Sequence, residues 1–156
     1  MNTVLTDMAG AYIEHSDVIT AFTSIVYSQL KDSVCRVYPD NVQYKWTVDG
    51  EEKTVIPDAT INCRVQAKKG NAFFDIPRFV MEVLSDSTKS YDRGEKMEIY
   101  TKMEIDEYWI VDWEKDRSKY TIWIMTRMAI PNTIFLKPLQ KTIKKSWRSF
   151  ISRILK

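Results

Sequence analysis

The chain has 156 residues, 44% hydrophobic and 28% charged, the balance of one globular domain with a proper core rather than of a disordered segment. No run approaches the roughly 20 apolar residues of a membrane span and the N-terminus lacks a basic-then-apolar leader, so a cytoplasmic protein is expected. The one histidine, His15, argues against multi-histidine zinc sites, Ser-His triads and histidine-dependent nuclease chemistry.

The net charge of +2 averages two unlike parts. Residues 1–120 hold 15 Lys/Arg against 21 Asp/Glu, a balance of −6, whereas residues 121–156 hold 8 Lys/Arg and no acid. A basic tail of that kind signals nucleic acid or a membrane surface. Cys35 and Cys63 lie far apart without a CxxC motif, and two buried thiols are expected rather than a disulfide.

In chain order, Ile13, Val18, Ile19, Phe22, Val26 and Leu30 recur at helical spacing, which predicts a helix over 11–30. Residues 35–48 read as two short strands around Pro39-Asp40-Asn41, and Asp49-Gly50 marks a turn into a third strand, Val55 to Cys63. A polar loop carries Lys68-Lys69-Gly70-Asn71. Residues 78–84 form an apolar run that reads as a strand covered on both faces. A helix over 91–103 follows, placing Asp92, Lys96 and Tyr100 on one face at i, i+4, i+8. Tyr108-Trp109-Ile110-Val111 is another largely buried strand, and a last strand runs from Lys119 to Met125. Strand, helix and strand over 78–111 make a crossover unit with parallel strands, so the fold class is α/β, a mixed central sheet flanked by helices.

Glu82 stands in the middle of the apolar run Phe79-Val80-Met81-Glu82-Val83-Leu84, where an unpaired carboxylate costs several kcal/mol or takes up a proton. Asp58 supplies a second acid upstream. Two carboxylates and the Val83 carbonyl are hard oxygen ligands of the kind Mg²⁺ prefers. Lys96, on the following helix, is the candidate cation for a phosphodiester, and Glu14 on the first helix is a candidate for a second metal or for orienting water. The plainer readings are a turn residue fixed by Pro57 for Asp58, a pair with Arg78 or Lys102 for Glu82, and a solvated partner of Asp92 for Lys96.

The run Pro57-Asp58, Phe79-Val80-Met81-Glu82-Val83-Leu84-Ser85, Ser87-Thr88, Asp92, Lys96, Tyr100 and Glu107-Tyr108-Trp109-Ile110-Val111-Asp112 resembles the Uma2 family. That family belongs to the restriction-endonuclease-like PD-(D/E)XK superfamily. The likeness covers roughly residues 12–113 and includes His15, which stands where members tend to carry a histidine. It implies a mixed sheet with the acids at one edge of a central hairpin-like pair, and Asp58 and Glu82 as metal ligands. In the superfamily pattern a lysine stands two residues after the second acid; here that position is Leu84. The resemblance moves the role to Lys96.

The chain after Asp112-Trp113 departs from the family. Trp and Met each have one codon, ending in G, so a one-nucleotide shift is partly readable from the protein. Trp123-Ile124 and Met125-Thr126 then each give Asp, and Met128-Ala129 gives Gly, which suits an acidic turn between two strands. Residues 1–118 are accordingly expected to form the endonuclease domain. Residues 119–156 are expected to be a basic tail from a shifted reading frame, not a separate domain, and its loss as a strand would expose the Trp109 side of the sheet. The other reading of the tail is an amphipathic terminal helix, Ile143 to Leu155, contacting DNA.

The expected function is a Mg²⁺- or Mn²⁺-dependent deoxyribonuclease acting on DNA, with a homodimer compatible because nucleases of this superfamily often pair to cut two strands. The alternatives are an inactive or truncated nucleic-acid-binding or interaction protein, and a metal-free domain in which a base pairs Glu82.

Overall fold

A computed structural model describes residues 13–85, 89–113, 120–126 and 137–140. Helix α1 spans Ile13–Gln29. Strands β1 (Arg36–Pro39), β2 (Gln43–Val48), β3 (Glu51–Val55) and β4 (Ala59–Asn62) follow. Next come β5 (Lys68–Lys69), β6 (Ala72–Phe73) and β7 (Phe79–Val83). Helices α2 (Lys89–Arg93) and α3 (Glu95–Lys102) lead to β8 (Glu107–Trp113), β9 (Tyr120–Thr126) and β10 (Lys137–Gln140). Among the described residues no helix is long and apolar enough to cross a membrane.

The strands form a six-stranded mixed sheet, β1-β4-β7-β8-β9-β10, and a four-stranded one, β3-β2-β6-β5. In the larger sheet β7 and β8 are parallel, joined by the expected helical crossover, and its other pairs are antiparallel. Alternation along β7 divides the core. Phe79, Met81 and Val83 face α1, whose Val18, Ile19, Phe22 and Val26 cover that side. Phe22 stacks on Phe79 at 5.1 Å between centroids and Trp109 meets Phe79 edge-on, each large side chain contributing about 1.5–3 kcal/mol by leaving water. Val80 and Leu84 face the other way, into a cluster built by α3 and the smaller sheet with Tyr44, Trp46, Tyr100 and Tyr108. Glu82 shares that face.

Several expectations change. The strand over 55–63 is two strands in different sheets, because Pro57 has no N–H for a ladder and the chain crosses between the sheets at 56–58. The loop at 68–71 is a small hairpin turned by Gly70 at φ 62°. The helix over 91–103 is broken at Gly94, where a Cβ would lie 2.9 Å from the Ser90 carbonyl oxygen, so the close approach requires glycine. Cys35 and Cys63 are not free thiols but a disulfide. The register Arg36↔Asn62 extends one step to place them face to face, a proximity the 28-residue separation conceals. Trp109 is covered, since β9 and β10 continue the sheet beyond β8 and bury Ile124 and Met125. Ser87-Thr88 and the segment from Ile143 to Leu155 lie outside the described residues.

Candidate active site

The ladder between β4 and β7 ends at Ala59↔Met81, and the next residues outward are Asp58 and Glu82. Asp58 stands one residue before β4, not within a strand. Its Oδ2 accepts the Val83 N–H at 2.7 Å, replacing the ladder bond that a further β4 residue would have made. Asp58 therefore grips the peptide unit that joins Glu82 to Val83. A strand residue turns its N–H and C=O to the same neighbour, so the Val83 carbonyl lies along the edge that Asp58 occupies.

Glu82 is 1% exposed. Tyr100 Oη donates to its Oε1 at 2.6 Å, and the Lys96 Nζ lies 3.0 Å from its Oε2. The same Nζ lies 3.0 Å from Asp92 Oδ1, one helical turn earlier and also 1% exposed. Tyr108 Oη donates to the Asp92 carbonyl at 2.9 Å, which pins the α2 backbone over β8. Lys96 thus reaches two buried acids, with the half-exposed Tyr91 ring 5.5 Å from its ammonium. The pairings with Arg78 or Lys102 do not form: Arg78 binds Asp106 and Lys102 binds Asp49 and Glu98.

From the opposite face, His15 Nε2 in the first turn of α1 lies 3.2 Å from Asp58 Oδ2. Glu14 is half-buried beside it. Burial pushes the Glu82 carboxyl up to about 8; Lys96 and Tyr100 work against that shift, Asp58 and Asp92 with it. Burial also works against the Lys96 charge, but Glu82 and Asp92 outweigh it and hold the ammonium above its ordinary range. The two directions describe one coupled cluster: Lys96 stays charged and Glu82 is the member that takes up a proton near neutrality. The Asp58 hydrogen bond raises the His15 imidazole against the effect of burial.

The structure thus brings Asp58, Glu82, Val83 and Lys96 to the same end of β7. Two residues carry more than the sequence assigned them. Asp92 and Tyr100 were visible on the Lys96 face, and their i, i+4, i+8 spacing was the signal. The His15 contact had no signal beyond its position ahead of the strands.

The family model of Uma2, described as "Putative restriction endonuclease", matches residues 1–122. This chain belongs to the Uma2 family. A curated protein it is similar to is "Uncharacterized protein slr1290" of Synechocystis sp., 29% identical over 93 residues, or 60% of this chain. The chain spans about half, 48%, of that relative's length. Among solved structures it is similar to "a putative nuclease belonging to DUF820" from Anabaena variabilis, with a TM-score of 0.60 and 15% identity over 93% of this chain and 82% of that one. That likeness is one of fold, and the fold is restriction-endonuclease-like.

Proposed function

We propose that this Uma2 protein is a Mg²⁺- or Mn²⁺-dependent endonuclease that hydrolyses DNA phosphodiester bonds. The observation that carries the reading is Lys96: a helix-borne ammonium stands 3.0 Å from the carboxyl group of a strand glutamate that is 1% exposed. The donor set suits a hard divalent ion, being all oxygen: Asp58, Glu82 and the Val83 carbonyl would hold it, with water and substrate completing the shell. Among the described residues no group of three His, Cys, Asp or Glu is spaced for a metal, so the protein would supply only two carboxylates, as is usual for Mg²⁺. Such an ion, when bound, supplies Lewis-acid activation of water and of a phosphate oxygen.

The chain's own residues do the rest. To serve as a ligand Glu82 would be ionised, its proton passing to solvent, and would give up its contact with Lys96. Asp92 keeps Lys96 oriented at that moment, so the ammonium is available to the developing negative charge on phosphate. Glu14 is assigned the orientation of water or a second ion. DNA would approach over exposed Lys68 and Lys69, because Lys102 and Arg93 are already paired with Asp49, Glu98 and Asp112. A homodimer would offer one site to each strand of a duplex.

Plasmid cleavage in Mg²⁺ or Mn²⁺ tests this. Glu82→Ala should abolish cleavage while leaving DNA binding, and Lys96→Ala should lower the rate on the order of 10²–10³-fold. Equal cleavage by wild type and Glu82→Ala discards the mechanism.

One observation favours a second reading. Lys96 and Tyr100 take one oxygen each of Glu82, the salt bridge expected of a metal-free domain in which a base pairs Glu82. A thermal unfolding midpoint that ignores Mg²⁺ and Mn²⁺ selects it.

A further inference from the structure

We infer that His15 is a positioning residue for Asp58, fixing which carboxylate oxygen faces the divalent ion; this rests on the metal-dependent reading above. Asp58 follows Pro57 in the crossing between the two sheets and has no strand pairing of its own. A single hydrogen bond from Val83 leaves its carboxylate plane free to turn about that bond. His15 supplies a second contact from another direction, and both fall on Oδ2. An ionised carboxylate only accepts, so His15 presents its Nε2–H to that oxygen. Oδ1 is left for the ion. The lever is rigid because α1 is locked to the sheet by Val18, Ile19, Phe22 and Val26. His15 therefore takes the part that outer carboxylate and carbonyl partners take for metal-binding histidines, with the roles reversed.

Mn²⁺ binding by calorimetry, together with the Mn²⁺-dependent rise in thermal midpoint, is measured on wild type, His15→Ala and His15→Gln. Gln places an amide nitrogen where Nε2 stood. His15→Ala is expected to weaken Mn²⁺ by roughly 10–100-fold, and His15→Gln to regain most of that. In cleavage, His15→Ala should raise the Mn²⁺ concentration for half-maximal activity and leave the rate at saturating Mn²⁺ close to wild type. A merely structural histidine would lower the metal-free midpoint in both variants and leave Mn²⁺ affinity unchanged. Wild-type Mn²⁺ affinity in His15→Ala, or no recovery in His15→Gln, overturns the assignment while leaving the metal site standing. A wild type that binds no Mn²⁺ overturns both.

Discussion

Replacing Lys96 by Met removes the cation from between two buried acids and keeps most of the side-chain volume. Each ion contact is 3.0 Å long, so at an effective dielectric near 20 each is worth about 5–6 kcal/mol before the cost of desolvating the ammonium. Breaking a buried pair by deleting one partner typically costs about 3–5 kcal/mol. The cost must depend on pH, because the two stranded acids differ. Glu82, already pushed up to about 8, escapes by holding a proton more firmly once Lys96 is gone. Wild type holds the same proton up to about 8, so the extra cost of the substitution grows only above that pH, by at most about 1.4 kcal/mol per unit. Urea unfolding of wild type and Lys96→Met, without divalent ions, at pH 6 and pH 9 measures this. The loss should be near the lower end of that range at pH 6 and clearly larger at pH 9. Adding Glu82→Gln to Lys96→Met should recover part of the loss, most visibly at pH 9. A loss below about 1 kcal/mol that is equal at both pH values would refute the buried-cluster argument, since exposed pairs behave that way.

Wild type should itself lose stability as pH rises. Glu82 is raised, so between its unfolded value of 4.5 and about 8 the folded chain binds more protons; His15 is also raised, and its contribution fades as pH climbs through its folded value. Thermal midpoints from pH 5 to 9 check this, and Glu82→Gln should flatten the curve. Reducing the Cys35–Cys63 disulfide, or replacing both residues with Ser, should cost about 3–4 kcal/mol for a closed loop of 28 residues, read from urea midpoints with and without reductant. Gly94→Ala should disturb the α2–α3 junction through the 2.9 Å approach to Ser90 and lower cleavage more than it lowers stability, because Asp92 and Lys96 flank that joint. Sequencing the coding DNA over codons 119–130 checks the shifted-frame proposal; close relatives encoding the same basic tail in one uninterrupted frame would refute it.

The parts legible in the sequence are those governed by local pattern. The 3.6 period of α1, the Asp49-Gly50 turn with both residues at positive φ, and the apolar run of β7 are each dictated within a few residues. Glu82 was legible for the same reason: one carboxylate among five apolar neighbours is anomalous at any register. What escaped depends on pairing between distant segments. Val55 and Ala59 are four residues apart yet lie in different sheets, and Cys35 meets Cys63 only because β1 pairs with β4. The Gly94 break escaped because Asp92, Lys96 and Tyr100 keep helical spacing across it, while the backbone demand for glycine comes from Ser90.

On the proposed reading, the place of the lysine on α3 rather than on β7 follows from topology. Leu84, where the superfamily pattern puts it, is 2% exposed and packs among Val80, Tyr100 and Tyr108 on the Glu82 face. An ammonium there would have to be stripped of water in an apolar cluster. The chain leaving β7 must cross over a face of the sheet to re-enter as parallel β8, so its helix starts near the carboxyl end of β7, where sites in open α/β sheets form. A lysine early in α3 therefore returns to the acid it would have neighboured on the strand. It arrives there one helical turn after Asp92, and the second acid is what lets the ammonium remain charged if Glu82 turns to a metal.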